Sequence, residues 1–398
     1  MRNTVLPLAA MLAIQSLTAL AMVAVPVLAP AAAPDIGVPL TFTGMFIGLV
    51  FLGAMWATLW SGSLVRRFGA IRISQAALLA CAAGMLVLLS ASPLLLPLSA
   101  LLIGLGYGPI TPASSHILMR TTPPHLMSLM FSIKQTGVPL GAMLAGLVLP
   151  PAMLAFGWRG GALGVALACV GVAMLAEPTR RQLDTDTEPG LALSLQHVAA
   201  PLRLVWSVPV LRLLVISSFF FSATQVSLTT FLLPYLTTQL QLPLVAAGLV
   251  FSMAQAAGVG GRIAWGYLAD RRIHPPVLLG ALAIGGGVAS VVAALLTPST
   301  GTVLPLCLFV LYGAVAIGWN GVYLAAVARE APPGKAGLAT GGSLAITFFG
   351  AVVGAPLFGL LAEWSGSYGL GFVVVSSLST LCGIALIRRR KRFHGARD

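Results

Sequence analysis

The chain has 398 residues, of which 58% are hydrophobic and only 8% charged, and its net charge is +13. An average soluble domain is about 45–50% apolar and about 25% charged, so this composition excludes a soluble globular protein. A bilayer's hydrocarbon core of about 30 Å is crossed by about 20 apolar residues of helix; the apolar runs here have that length, which excludes barrel strands.

Twelve runs are expected to span as helices: 4–29, 40–62, 71–91, 93–117, 128–153, 158–177, 209–238, 243–268, 275–297, 302–328, 335–364 and 366–388. The first resembles a signal peptide but is longer than the about 7–15 apolar residues of one and carries Gln15, Ser16 and Thr18. It is expected to be an uncleaved first helix. The loop after the second run reads GSLVRRFG (62–69), and the fourth run ends on His116, expected to cap or sit at the interface.

Lys134 and Gln135 open the fifth run, MFSIKQTGVPLG. Lys134 either contributes a cation to a cavity or snorkels to the membrane surface. Behind them QTGVPLGAMLAG carries Gly137, Gly141 and Gly146, with Pro139 expected to kink the helix. Residues 178–208 are the one long polar interruption and, with Glu177, hold four of the nine acids. A short amphipathic stretch around Leu191 to Leu204 suits the membrane surface.

In the second half, the eighth run holds Arg262 and is followed by GYLADRR (266–272). Arg262 precedes Asp270 by eight residues, about 12 Å inside the helix end at about 1.5 Å per residue. FFGAVVGAPLFG in the eleventh run repeats the glycine spacing of the fifth at Gly350, Gly354 and Gly359. The two glycine sets and the two loop motifs fall at equivalent places, so the chain reads as a duplication: an N-terminal six-helix half (1–177), a cytoplasmic linker (178–208) and a C-terminal six-helix half (209–398) with a basic tail. Small residues four apart allow close helix contact.

Of the 22 lysines and arginines, only Arg159 falls in a loop on one side of this map, and Lys134 and Arg262 lie inside runs; all others lie on the opposite side. That side, with both termini, is expected to be cytoplasmic. The tail RRRKRFHGARD then anchors the topology at an anionic leaflet. The charge needs no nucleic-acid partner. The four cysteines form no CxxC, the histidines no HExxH, and no phosphate loop appears. Neither a metal, a cofactor, an ATP-driven pump nor an enzyme is indicated.

Over essentially its whole length the sequence resembles the major facilitator superfamily, whose loop motif reads approximately G-x-L-a-D-R-x-G-r-r. Gly266, Leu268, Ala269, Asp270 and Arg271 match it closely; Gly62, Leu64, Arg67 and Gly69 match the first copy, where Arg66 stands in place of the aspartate. The resemblance implies an all-α fold of two pseudo-symmetric six-helix halves, alternating access, and motif residues that gate the cytoplasmic side. It also implies that the fifth-helix segment bends at the interface of the halves. In monocarboxylate, oxalate:formate and nitrate/nitrite carriers an anion-binding arginine stands four residues before the motif glycine, as Arg262 does before Gly266. SIKQTGVPLG also looks somewhat like the cyanate permease group.

The reading is a secondary transporter in the cytoplasmic (inner) membrane, a monomer that moves a small organic anion of the monocarboxylate kind. Arg262 binds the substrate's carboxylate or, alternatively, the backbone carbonyls of a neighbouring helix. Lys134, Gln135, Gln15, Gln225, Trp319 and Asn320 complete the candidate site, with interhelical bonding the alternative for the two paired glutamines, Gln15 and Gln225. Coupling stays open among a proton carried with the substrate, anion exchange and uniport. Efflux of amphipathic drugs is the alternative function, and that would call for an embedded acid.

Overall fold

The structure is a computed structural model and describes residues 2–122, 130, 133–188, 190, 199–332 and 335–393. The described residues contain helices and no strands. They form two compact units, one of residues 1–40 with 49–195, the other of 41–48 with 196–398.

The first unit is built from α1 (Arg2–Ile36), α2 (Thr43–Phe68), α3 (Ala70–Leu88), α4 (Leu96–Tyr107), α5 (Ile110–Thr121), α6 (Gly137–Leu175) and the short α7 (Glu177–Leu183), with the start of α2 counted in the second unit. The second contains α8 (Ala199–Ser207), α9 (Pro209–Pro234), α10 (Leu244–Arg271), α11 (Pro275–Leu295), α12 (Val303–Gly318), α13 (Asn320–Glu330), α14 (Ala336–Ser365) and α15 (Tyr368–Arg388).

Eleven helical runs among the described residues are long and apolar enough to cross a membrane. One of them, Ile133–Leu175, has 43 residues and turns at Gly157, whose φ of 68° and ψ of 172° interrupt the helix and suit glycine. It therefore comprises the fifth and sixth runs, and the count becomes twelve. Large apolar side chains such as Leu167, Leu311 and Leu381 are exposed, as a lipid-facing surface requires.

Several boundaries differ from expectation. The first helix continues to Ile36 and the second to Phe68, so Arg66 and Arg67 occupy a last helical turn, where cations oppose the negative end of the helix dipole. The fourth run breaks where Pro109, which has no N–H to give, precedes α5; the tenth breaks at Trp319. Pro139 falls in the first turn of α6, just after a turn at Thr136 that separates α6 from the helical residues 133–135. Residues 191–198 of the amphipathic stretch lie outside the described residues; the rest, from Ala199, enters α8.

Glycines set the helix contacts, and they do so alike in both units. A Cβ on Gly141 would strike the Ser16 carbonyl of the first span; one on Gly350 would strike the Phe219 carbonyl of the seventh. Gly104 lies equally close to the Val50 carbonyl, and Gly313 to that of Ala254, so the fourth span sits on the second as the tenth sits on the eighth. Gly137 faces Gln15, Gly354 faces Ala223, Gly359 faces Thr41, and Gly146 is buried in α6. Because these neighbours are backbone atoms, Gly141→Ala and Gly350→Ala are each expected to destabilise by about 1–3 kcal/mol through overpacking. Gly164→Ala, with nothing within 4 Å of the new methyl, should be neutral; thermal unfolding in detergent compares the three.

Where the sixth span ends, α7 opens with Glu177, which accepts from Arg180 and from Gln75 Nε2 at 2.9 Å. These hydrogen bonds hold its carboxyl at about 2, below the ordinary 4.5. A depressed carboxyl stabilises the fold above its unfolded pKa, and that contribution is lost as pH falls from about 4.5 through about 2. Glu177→Gln should remove this part of the acid sensitivity, seen as a flatter stability profile below pH of about 4.5.

Candidate functional site

Each unit gathers one cluster of the polar residues singled out in the sequence. In the first, Gln15 of α1 meets the residues just before α6: Gln15 Nε2 lies 3.5 Å from Gln135 Oε1, and Lys134 Nζ donates to the same oxygen at 3.2 Å. Lys134 is 1% exposed and Gln15 2% exposed. The lysine therefore does not snorkel. Gly137, one turn beyond, leaves the space that the Gln15 side chain fills. Among the described residues, Gln15 Oε1 and the neighbouring Ser16 Oγ are buried without a hydrogen-bond partner. Such groups are costly to bury and rare in native interiors.

In the second unit, Gln225 of α9 brings together the two residues at the break of the tenth span. Its Oε1 accepts from Trp319 Nε1 at 2.9 Å and from Asn320 Nδ2 at 3.0 Å. Trp319 is buried edge-on to Phe221, with ring centroids 5.4 Å apart, and to Tyr323 at 5.3 Å. Beside it is a largely apolar crevice lined in part by Phe221, Thr224, Val315, Trp319 and Ser379.

Arg262 is half-buried on α10, and its Nε donates to the Ile317 carbonyl at 3.3 Å, two residues before the tenth-span break at Trp319. A bond to a backbone carbonyl of a neighbouring helix is the alternative that the sequence left open for this arginine. Arg262 is therefore held by a neighbouring helix. Trp265, which the sequence reading did not single out, braces the same contact by donating to the Ala314 carbonyl at 2.8 Å. Gly258 and Gly261 let α10 approach α12 there.

The loop motifs form ion pairs inside their own units. Asp270 accepts from Arg329 Nη2 at 2.7 Å, and Arg271 lies over the Tyr267 ring at 5.2 Å. In the first copy Arg66 pairs with Glu188 at 2.8 Å. Gly69 has a φ of 96° and needs to be glycine, whereas Gly62 and Gly266 face open space. His116 Nε2 lies 2.7 Å from Asp186 Oδ2 of the linker. On the side where Arg159 is the lone basic loop residue, Asp35 receives both Trp158 Nε1 and Arg159 at 2.8 Å.

The profile described as Major Facilitator Superfamily matches residues 11–342. A gentisate transporter of Corynebacterium glutamicum is 27% identical over 359 residues, covering 87% of this chain and 76% of that protein. The 4-hydroxybenzoate transporter PcaK of Pseudomonas aeruginosa is 28% identical over 378 residues, 86% of this chain and 81% of that one. Among solved structures, a POT family transporter in complex with 5-aminolevulinic acid has a TM-score of 0.76 over 97% of this chain and 96% of its own, at 13% identity, which is a likeness of fold.

Gln225→Ala would leave the buried Trp319 indole N–H and the Asn320 amide without their shared acceptor. An expected loss of about 1–3 kcal/mol is measurable by thermal unfolding. Gln225→Glu keeps the acceptor oxygens and should retain most of the stability.

Proposed function

The chain belongs to the major facilitator superfamily, and on that premise we propose that it is a secondary transporter of a small organic anion, an aromatic carboxylate of the hydroxybenzoate kind, moved by alternating access. One observation carries the reading. Arg262 stands nine residues inside the Leu244–Arg271 run and Lys134 is buried near the start of Ile133–Leu175, while every Asp and Glu in a described run lies within two residues of its end. Cations near the membrane interior are costly and generally serve a pathway or a bound partner. Their sign selects an anionic substrate and disfavours efflux of amphipathic cations.

In this reading the Arg262 fork binds the carboxylate through two parallel N–H donors, a geometry that lysine does not reproduce. The Nε contact with Ile317 keeps the guanidinium plane in place. In the same unit the Gln225, Trp319 and Asn320 cluster gives an amphipathic wall; in the first unit Lys134, Gln135 and Gln15, whose Oε1 is buried without a hydrogen-bond partner, form the polar cluster there. Relatives that carry gentisate and 4-hydroxybenzoate support the substrate class. The distribution of basic residues supports cytoplasmic termini and the inner membrane.

Purified protein in liposomes is expected to exchange labelled 4-hydroxybenzoate, with competition by gentisate and none by the uncharged 4-hydroxybenzamide. Arg262→Lys should lower kcat/KM about 100-fold, roughly the worth of a lost bidentate charged hydrogen bond, while the protein stays monodisperse. Full exchange by that variant would overturn the anion site.

A further inference from the structure

We propose that the linker carboxylates Asp184, Asp186 and Glu188 supply the first loop motif with the acid its sequence lacks. Asp184 acts as the positioning residue that holds the linker-side ends of the second, third and fourth spans as one block.

The comparison between units is direct. In the second, Arg329 stands one residue before the end of α13 and is paired with Asp270 of the loop motif. In the first, Arg120 stands one residue before the end of α5, and the motif position that would hold its acid is Arg66. Arg120 is paired all the same, through Nη1 to Asp186 of the linker. Its Nη1 also donates to the Leu183 carbonyl at 3.2 Å and its Nη2 to Thr185 Oγ1 at 3.2 Å. The arginine has kept its place and the acid comes from elsewhere in the chain.

The other two carboxylates fix the segment on either side. Glu188 accepts from Arg66 Nη2 through both oxygens, at 2.9 and 2.8 Å, and its own N–H donates to the Arg66 carbonyl at 2.8 Å. The residue that displaced the motif acid is thus itself a linker ligand. Asp184 binds backbone: Oδ1 accepts the Ile71 N–H and Oδ2 the Arg72 N–H, both at 2.9 Å. The first turn of a helix leaves such donors without intrahelical partners. Gly69 at the N-cap of α3 has no side chain to offer them, so the cap arrives from more than a hundred residues along the chain. A Cβ at Gly69 would collide with the Asp184 carboxylate, which adds a second reason for glycine there. Upstream, Glu177 and Gln75 tie the start of α7 to the third span. The far end of the linker lies in the other unit, where α8 rests on α14 with Pro201 against Gly342.

The test has an arm that needs no substrate. Hydrogen exchange on the full-length protein in detergent should show the Ile71 and Arg72 amides exchanging about tenfold faster in Asp184→Ala, with a smaller change in Asp184→Asn, which retains one acceptor oxygen. The second arm relocates the acid and rests on the transport reading above. Exchange turnover of 4-hydroxybenzoate in liposomes should fall in Asp186→Asn/Glu188→Gln with KM unchanged. Adding Arg66→Asp, which restores the motif acid, should return most of the turnover. Unaltered exchange at Ile71 and Arg72 in both Asp184 variants, or a triple variant no faster than the double, would overturn the proposal. Failure of the wild type to move 4-hydroxybenzoate would count against the transport reading alone, because the amide exchange still decides the role of Asp184.

Discussion

The close seating of glycines on backbone carbonyls is the constraint from which the rest of this structure follows. Between helices in lipid the hydrophobic effect supplies little drive, because lipid tails are as apolar as leucine, so association depends on how near two backbones can come. Gly141 over Ser16, Gly350 over Phe219, Gly104 over Val50 and Gly313 over Ala254 fix that approach, twice in each unit. The polar clusters inherit their geometry from these seats. Gln15 faces Lys134 and Gln135 because Gly137 and Gly141 bring the fifth span onto the first. Arg262 reaches the Ile317 carbonyl because Gly258 and Gly261 bring the eighth span onto the tenth.

Polar groups that would be costly in hydrocarbon are met in two different ways. Side chains such as Tyr312 with Ser376, and Thr224 with Ser379, satisfy each other inside the second unit and need no functional account. The cluster around Lys134 is unlike them: one amide oxygen of Gln135 serves two donors, while an amide oxygen and a hydroxyl remain buried without partners. A network satisfied in part is unfavourable in a low-dielectric interior. Gln75, Thr122, Ser227, His274 and Tyr323 also carry such a buried atom, so what marks the Lys134 region is this imbalance beside a buried cation.

The twelve spans were legible because apolar runs of spanning length need no tertiary information, and the duplication was legible from glycine spacing. Gln15, Lys134, Gln135, Gln225, Trp319 and Asn320 were each visible as polar residues in apolar surroundings. Their pairing into one cluster per unit was not, since it depends on which helices touch. The break at Trp319 had no proline to announce it, unlike that at Pro109. The partners of the linker acids, Arg66, Ile71, Arg72, His116 and Arg120, were not legible because they lie far away in sequence. The available signal was the spacing of Asp184, Asp186 and Glu188 at alternate positions, in a chain with nine acids and a motif missing its own.

The linker contacts also show why several weak interactions must converge there. Arg66 and Glu188 have side chains about half exposed, at 54% and 52%, and ion pairs of that kind contribute about 0–1 kcal/mol, less in salt. No single such pair could hold three helix ends together. Asp184 differs because it replaces missing partners of fixed backbone donors, so only its own side chain must be ordered. With that cap in place, Asp186 and Glu188 are delivered to Arg120 and Arg66 two and four residues further along, and each pair forms at a reduced entropic cost. Sequence economy follows: one acidic segment after the sixth span does for three helix ends what the second unit assigns to an aspartate within its own loop.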